Sequence, residues 1–277
     1  MTSWKNNNTL ESRKLVEEVL NPPKKTRKVV ARDKKHLKHL IEYRMNKFGS
    51  KCDLNNIDVS QITDMRDLFE FSWFDGDISK WDVSNVTDMR NMFGSSRFNG
   101  DISNWNVSNV KYMSRMFKDS RFNGDISSWD VSNVMLMSQM FYGSPFNGDI
   151  SNWDVSNVLD TSSMFEDSDF NGDISRWNVS RVESMTRMFF QSKFNRDISS
   201  WNVSNVIYME SMFYGSEFNG DISNWNVSNV TDMRWMFQNS KFSGDISGWD
   251  VTSLDRKKGM FLKSPLAGKE PSWYKNA

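Results

Sequence analysis

Tryptophan recurs along this chain at a fixed interval of 24 residues. The column contains Trp81, Trp105, Trp129, Trp153, Trp177, Trp201, Trp225 and Trp249. A period between about 20 and 50 residues is typical of a solenoid, in which each repeat stacks on its neighbours. One such unit cannot enclose its own large apolar side chains. We therefore expect successive coils to stack with like residue on like, so that each apolar column becomes a continuous buried ladder.

The spacing of apolar residues inside one unit predicts two kinds of backbone. Trp81 and Val83 are two residues apart, which places both side chains on one face of an extended segment. Val86, Met89 and Phe93 follow at i, i+3 and i+7, the spacing of a helical or 3₁₀ stripe. Each coil is therefore predicted to contain one short strand and one short helical turn.

An aspartate column repeats with the same period. It contains Asp77, Asp101, Asp125, Asp149, Asp173, Asp197, Asp221 and Asp245. Carboxylates stacked about 4.8 Å apart repel one another, so each must accept hydrogen bonds or share cations between coils. A serine two residues later, such as Ser79, offers the local donors of an Asx turn. We favour this local turn over a ladder of bound ions.

Charge divides the chain into segments. Residues 1–52 contain 14 Lys and Arg against 5 Asp and Glu, which leaves 21 against 30 (35 − 14 and 35 − 5) for the rest. We predict that residues 1–52 form a basic segment with capping helices. Residues 53–261 are predicted to form the solenoid of about nine coils. Residues 262–277, where the apolar pattern decays, are predicted to form a C-terminal cap, because solenoid ends need polar caps.

The basic segment and one departure from the repeat give local predictions. A first helix is expected at residues 8–20 and a strand at Val29–Val30. Asp33 is the expected N-cap of a second helix that stops at Gly49. Arg196 replaces a glycine that recurs in the Phe-Asn-Gly turn of other units, so we expect a local change of turn there.

The consensus unit is Phe-Asn-Gly-Asp-Ile-Ser-x-Trp-[Asp/Asn]-Val-Ser-Asn-Val-x-x-Met-x-x-Met-Phe. It resembles the repeat of the BspA-like leucine-rich-repeat family of bacterial surface proteins, over about four fifths of the chain. The resemblance implies an α/β repeat solenoid, a leucine-rich-repeat-like right-handed coil. It also implies adhesion or protein–protein contact without enzymatic activity. Relatives occur in phages and large viruses as well, so a cell-surface or a virion location is implied.

Few residues are suited to catalysis or to metal binding. His36 and His39 are the only histidines and Cys52 the only cysteine. The histidine pair is more typical of a solvated helix face than of a metal site, because no third His or Cys lies near in sequence. No phosphate-binding loop, nucleophile elbow or zinc-protease motif occurs. We predict a protein that is not an enzyme and that binds neither a cofactor nor a metal.

Candidate binding residues are apolar side chains at positions that the repeat leaves variable. Two columns and one neighbouring residue supply them: Tyr112, Leu136 and Tyr208; Tyr142, Phe190 and Tyr214; and Trp235. Exposed aromatic columns on a rigid scaffold are typical of an interface. The alternative is that these side chains only cover their neighbours, since scattered surface apolar residues are normal.

Three classes of function follow. We favour a protein-binding or adhesive solenoid, with the oligomeric state left open. The first alternative is a nucleic-acid-associated or DNA-mimicking protein, in which residues 1–52 bind phosphates or the acidic repeats imitate them. The second is a glycan-binding surface built from Tyr and Trp. No apolar stretch is long enough to span a membrane and no signal-peptide core is present, so a cytoplasmic location as encoded is expected.

Overall fold

Regular helices and strands lie near the two ends of the part of the chain that the structure, a computed structural model, describes: residues 28–275. In chain order they are β1 (Val29–Val30), α1 (Lys34–Phe48), β2 (Ile57–Asp58) and α2 (Ser272–Lys275). The helix expected at residues 8–20 lies outside the described residues.

Helix α1 closes the first end of the stack. The Asp33 carboxylate accepts a hydrogen bond from the backbone N–H of His36 at 2.8 Å, which satisfies a free amide of the first turn. Gly49, with φ of 86°, ends the helix, and its N–H donates to the Met45 carbonyl. The apolar side chains of the helix are buried: Leu37, Leu40 and Ile41. The predicted cap and stop of this helix are confirmed.

The predicted strand at Val29–Val30 is also confirmed. It pairs in parallel with β2, with Val29 opposite Ile57 and Val30 opposite Asp58. This pairing attaches the segment before α1 to the first coil.

Between these ends, parallel bridges join residues 24 positions apart, and we call the bridged residues the bridge column. It contains Asp64, Asp88, Tyr112, Leu136, Asp160, Ser184, Tyr208, Asp232 and Arg256. The bridges therefore stack the repeats at the period of the sequence. The leucine-rich-repeat-like class and the right-handed coil stay predictions.

The predicted helical turn in each coil is wrong. Within the described residues, the Val86–Phe93 stripe and its equivalents contain no helix. The amides of Met89, Asn91 and Phe93 donate to carbonyls of the next coil at 2.9 Å, so they are unavailable for helical bonds. Asn91 and Ser95 have φ of 58° and 51°, which turns the chain without helical geometry. Inter-coil pairing therefore replaces local helix formation.

The tryptophan column forms the expected ladder in the core. The Trp105 ring stacks on that of Trp81 with centroids 6.4 Å apart and planes 5° apart. Each indole also bonds to the preceding coil: Trp105 Nε1 donates to the Ile78 carbonyl at 3.1 Å. Val, Ile, Met and Phe columns are buried beside it. The same residue on each coil thus supplies both packing and a hydrogen bond to a buried carbonyl.

The local-turn prediction for the aspartate column is confirmed. Asp77 Oδ1 accepts hydrogen bonds from the backbone N–H of Ser79 at 2.9 Å and from its hydroxyl at 2.7 Å. The backbone bond lowers the pKa of Asp77, because it stabilises the charged form. Equivalent bonds form at Asp149 and Asp221.

The expected change of turn at Arg196 is wrong. Neither Arg196 nor Gly100 has a positive φ. A Cβ added at Gly100 would lie 2.8 Å from a ring carbon of Phe98, so glycine is favoured there by close packing and not by φ. The ladder continues through this coil, because the Asn195 N–H donates to the Asn171 side chain at 3.0 Å.

The last coil is closed by the segment containing α2. Trp273 continues the tryptophan column, with its ring centroid 6.4 Å from that of Trp249. Lys257 occupies a methionine position of the repeat, and its ammonium donates to the Trp273 carbonyl at 3.1 Å. A polar residue at this methionine position thus joins the last coil to the segment containing α2.

Candidate interaction face

One side of the stack carries most of the variable positions, and we call it the bridge face. It is the outward side of residues 63–71 and of their equivalents at every 24th position to residues 255–263. Inward residues of the same segments, such as Met89 and Phe93, are fully buried. The inter-coil backbone bonds fix these segments, so their outward side chains stand on a rigid support.

Residues Tyr112, Leu136 and Tyr208, predicted as one column, do lie in one column. Tyr112 and Leu136 are bridged directly, and both are half-buried. Tyr208 is separated from Leu136 by two polar coils and is 45% exposed. The structure therefore brings two of these three residues together. Met135 is exposed beside the pair.

In the second predicted column, Phe190 and Tyr214 form a parallel pair. Their ring centroids are 4.6 Å apart and their planes differ by 6°. The Tyr214 hydroxyl accepts a hydrogen bond from the Asn239 amide at 3.0 Å. Tyr142 belongs to the same column, but Glu166 stands between it and Phe190. The ammonium of Lys118 lies 4.7 Å from the Tyr142 ring centroid.

A buried ion pair supports these aromatic residues, and the sequence reasoning did not identify it. Glu166 is only 2% exposed, and its carboxylate accepts a hydrogen bond from Arg187 Nε at 2.9 Å and a second one from Nη2. The Arg187 guanidinium also lies over the Phe190 ring, 3.8 Å from its centroid. The only sequence signal is that an acidic residue interrupts an aromatic column.

The Glu166 charge affects the ionisation of its neighbours. Its hydrogen bond raises the pKa of Arg187. Burial, followed by the Glu166 charge, raises the pKa of Asp167. Burial also raises the pKa of the Tyr142 hydroxyl. The pKa values of Arg187, Asp167 and Tyr142 are therefore all shifted upwards.

Trp235 lies two coils beyond Arg187 in the same column of the face. Its φ is 57°, which is uncommon for a bulky residue. The Arg234 guanidinium lies 5.2 Å from its ring centroid. Gly259 occupies the next coil, where an added Cβ would come within 2.6 Å of the indole. The ring therefore extends across the neighbouring coil.

Ion pairs occupy both ends of the bridge face. Near α1, Arg66 binds Asp64 at 2.8 Å, and its guanidinium holds the pKa of that carboxyl well below its usual range. At the far end Asp232 lies between Arg234, at 2.8 Å, and Arg256, at 3.2 Å. The bridge column is thus charged at both ends and carries its apolar members, Tyr112, Leu136 and Tyr208, between them.

A shallow depression of about 580 Å³ borders the middle coils, and Leu159, Arg181 and Ile207 contribute to its lining. Arg181 interrupts an asparagine column. In other coils the asparagine amide donates to a serine carbonyl of the preceding coil, as Asn157 does to Ser132 at 2.7 Å. Arg181 instead donates to the Asn157 side-chain oxygen at 2.6 Å.

Residues 28–275 contain neither a metal-binding cluster nor a membrane-spanning helix. His36 Nδ1 accepts a hydrogen bond from the Arg32 N–H at 3.1 Å. No group of three or more His, Cys, Asp or Glu in this range is placed to hold a metal ion. None of the helices in this range has the length and apolar character needed to cross a bilayer.

Comparison with known proteins identifies one family. The family model described as a Mycoplasma protein of unknown function, DUF285, matches residues 37–145, 118–217 and 168–273. The three matches overlap in tandem and together extend over more than half of the chain. Searches of curated proteins and of solved structures give no match.

Proposed function

The chain belongs to the DUF285 family of repeat proteins of unknown function, and on that basis we propose that it is a non-catalytic binding protein whose bridge face engages a protein partner. In this proposal the stack is a leucine-rich-repeat-like solenoid of the BspA-like type. Adhesion at a cell or virion surface is one form that such binding takes.

The observation that carries the proposal is the cluster formed by Phe190, Tyr214, Arg187 and Glu166. Binding hot spots are enriched in Tyr, Trp and Arg and lie near the centre of an interface. Here the two rings are stacked and the arginine is held over Phe190 by a buried carboxylate. Little side-chain freedom remains to be lost when a partner binds, which favours affinity.

The distribution of charge across the face supports the same conclusion. Protein interfaces have an apolar core depleted of charge and a polar, solvent-accessible rim. The middle coils present Tyr112, Leu136 and Tyr208, whereas ion pairs at Asp64 and Asp232 occupy the ends. Exposed charges that are already paired contribute little to binding, but they define where an apolar partner surface fits.

The size of the face also fits a protein partner. Nine bridged residues at about 4.8 Å per coil span about 40 Å. An interface of standard size takes about 800 Å² from each partner, which over this length requires a width of only about 20 Å.

Affinity capture followed by mutation tests the proposal. We expect the full chain to retain a specific protein from its source cells in about 0.5 M salt, because salt at this concentration screens attraction between charges and leaves apolar contacts intact. Tyr142→Ala combined with Tyr214→Ala is expected to abolish retention. Tyr43→Ala, an aromatic truncation on α1 and away from the face, is the matched control and should retain the partner.

Two results would overturn the proposal. One is retention of the same protein by the double variant with unchanged affinity. The other is retention that disappears as salt rises and is insensitive to the tyrosines, which would assign binding to charge and not to the bridge face.

A further inference from the structure

The exposed aromatic residues at the α1 end of the stack form a second surface, distinct from the middle of the bridge face. The three most exposed aromatic side chains among the large hydrophobic residues of the described range are here: Phe48 is 54% exposed, Phe71 68% and Trp73 63%. Aromatic rings that are more than half exposed seldom stabilise a fold. Their concentration at one end of the stack therefore points to a binding surface.

Backbone pairing places these residues at one corner of the fold. The Asp75 N–H donates to the Ser50 carbonyl at 2.8 Å, so the chain leaving α1 after Phe48 runs beside the chain that follows Trp73. Phe71 lies two residues before Trp73 and has φ of 54°, a left-handed conformation that is uncommon for a bulky residue. We call Phe48, Phe71 and Trp73 with their cations the basic–aromatic corner.

Each of two rings in this corner carries a cation. The Arg97 guanidinium lies 3.7 Å from the Trp73 ring centroid. Lys47 Nζ and Arg44 Cζ lie 5.2 Å and 5.4 Å from the Phe48 ring centroid. An arginine that covers one face of an indole leaves the opposite face for a planar ligand. The same arginine places positive charge close to that ligand.

The surrounding cap supplies further positive charge, and only Lys34 and Lys51 among its lysines and arginines pair with a carboxylate within the described range. Residues 28–52 contain eight Lys and Arg against two Asp and Glu. Within the described range, Arg32, Lys38, Arg44 and Lys47 make no ion pair with a carboxylate. The cations of the bridge face are different, since Arg66, for example, is paired with Asp64. Unpaired cations are free to neutralise nucleic-acid phosphates, which releases the counterions condensed on the nucleic acid.

From these features we propose that the basic–aromatic corner binds single-stranded nucleic acid, with Trp73 and Phe71 stacking on bases and Arg44, Lys47 and Arg97 contacting phosphates. Sequence-tolerant single-strand binding combines a basic surface with aromatic stacking platforms. An acidic polypeptide would use the cations but would gain nothing from the exposed ring faces. The site lies outside the middle coils, so this activity is independent of the protein-binding role.

Fluorescence anisotropy with a labelled oligothymidylate of about 20 nucleotides tests the proposal on the full chain. We expect binding in low salt that weakens about 10- to 20-fold between 50 and 200 mM salt, for about three phosphate contacts. Trp73→Ala is expected to weaken binding about 5- to 150-fold, the value of one lost base stack. Trp73→Phe keeps a stacking ring and should restore most of the affinity, which separates stacking from any effect on folding.

Charge is tested with a matched pair of lysines. Lys47→Gln should weaken binding and lower the salt dependence by about one phosphate contact. Lys241→Gln removes an exposed lysine on a distant coil and should change neither. Binding that Trp73→Ala and Lys47→Gln leave unchanged would overturn the proposal. So would equal affinity for poly-glutamate that is insensitive to Trp73→Ala, because an acidic polypeptide would then be the ligand class.

Discussion

The indole Nε1 of Trp153 donates a hydrogen bond to the carbonyl oxygen of Ile126 at 3.1 Å, across a sequence distance of 27 residues. Both groups are buried, and the bond recurs on every coil from Trp81 to Trp273. The ladder thus combines aromatic packing with a long-range hydrogen bond, and both are lost together when the ring is changed.

Trp153→Phe is therefore expected to destabilise the protein by about 2–4 kcal/mol, because it leaves the Ile126 carbonyl unsatisfied and reduces buried apolar area. Urea denaturation followed by circular dichroism measures the change. Trp273→Phe is the matched control, since Trp273 is only partly buried at the end of the stack and should cost less. Equal losses at the two positions would contradict a ladder whose bonds depend on burial.

The Glu166–Arg187 pair is expected to respond asymmetrically to mutation. Arg187→Ala leaves a carboxylate buried without its partner and should cost about 2–4 kcal/mol. Glu166→Gln leaves an arginine that is 40% exposed and can be hydrated, so it should cost about 1–2 kcal/mol. Chemical denaturation of both variants gives the two losses in free energy of unfolding. A larger loss for Glu166→Gln would show that the carboxylate is not the group that depends on the pair.

Arg181→Asn is expected to stabilise the protein by about 0.5–1.5 kcal/mol. The new amide can donate to the Ser156 carbonyl, as Asn157 donates to Ser132 and Asn205 to Ser180. The gain is reduced by loss of the Arg181 bond to Asn157. Thermal denaturation of this variant measures the change in stability. Asn133→Arg makes the reverse change and should destabilise the protein. Destabilisation by Arg181→Asn would show that the arginine fits its coil better than the repeat residue does.

Stability is expected to fall in acid because of the aspartate column. Backbone hydrogen bonds from the following serines lower the pKa of Asp125, Asp149 and Asp221. A carboxyl whose pKa is lower in the folded than in the unfolded state stabilises the fold above its unfolded pKa of about 3.9. That contribution is lost as the pH falls through the folded pKa. The aspartate column should therefore leave the melting temperature unchanged between pH 6 and about pH 5, and its protonation should lower the melting temperature below about pH 4.

Two variants separate this effect from general acid denaturation. Asp149→Asn keeps an acceptor for Ser151, as Asn106 does for Ser108, and should flatten the acid limb of the curve. Asp167 has a raised pKa, so its charge opposes folding above that pKa. Asp167→Asn should therefore raise the melting temperature at pH 7 and leave it unchanged at pH 3. An unaltered acid limb in Asp149→Asn would exclude the column as the cause.

The residues that could be read from the sequence are those whose role depends on period and on local chemistry. Trp105 and Asp77 occupy columns, so their stacking and their Asx turn follow from spacing and residue type. The N-cap at Asp33 follows from local pattern in the same way. These predictions need no knowledge of which neighbour lies opposite.

The errors concern bonds between coils, which the spacing within one unit does not reveal. The Met89–Phe93 stripe has a helical period, but its amides bond to the next coil and the chain turns through a positive φ at Asn91. Glycine at position 100 is required by the Phe98 ring and not by φ, so Arg196 causes no new turn. Glu166 was overlooked because its partner Arg187 comes from the following coil.

The uniform offset of the tryptophan bond has an evolutionary consequence. Every junction between coils uses the same residues at the same separation, so removing or duplicating one whole unit joins surfaces that already match. Unequal recombination between the gene segments that encode these similar units is therefore expected to yield proteins that still fold. A lineage can lengthen or shorten the stack in steps of one coil, while selection on individual outward side chains changes the surface that each step adds.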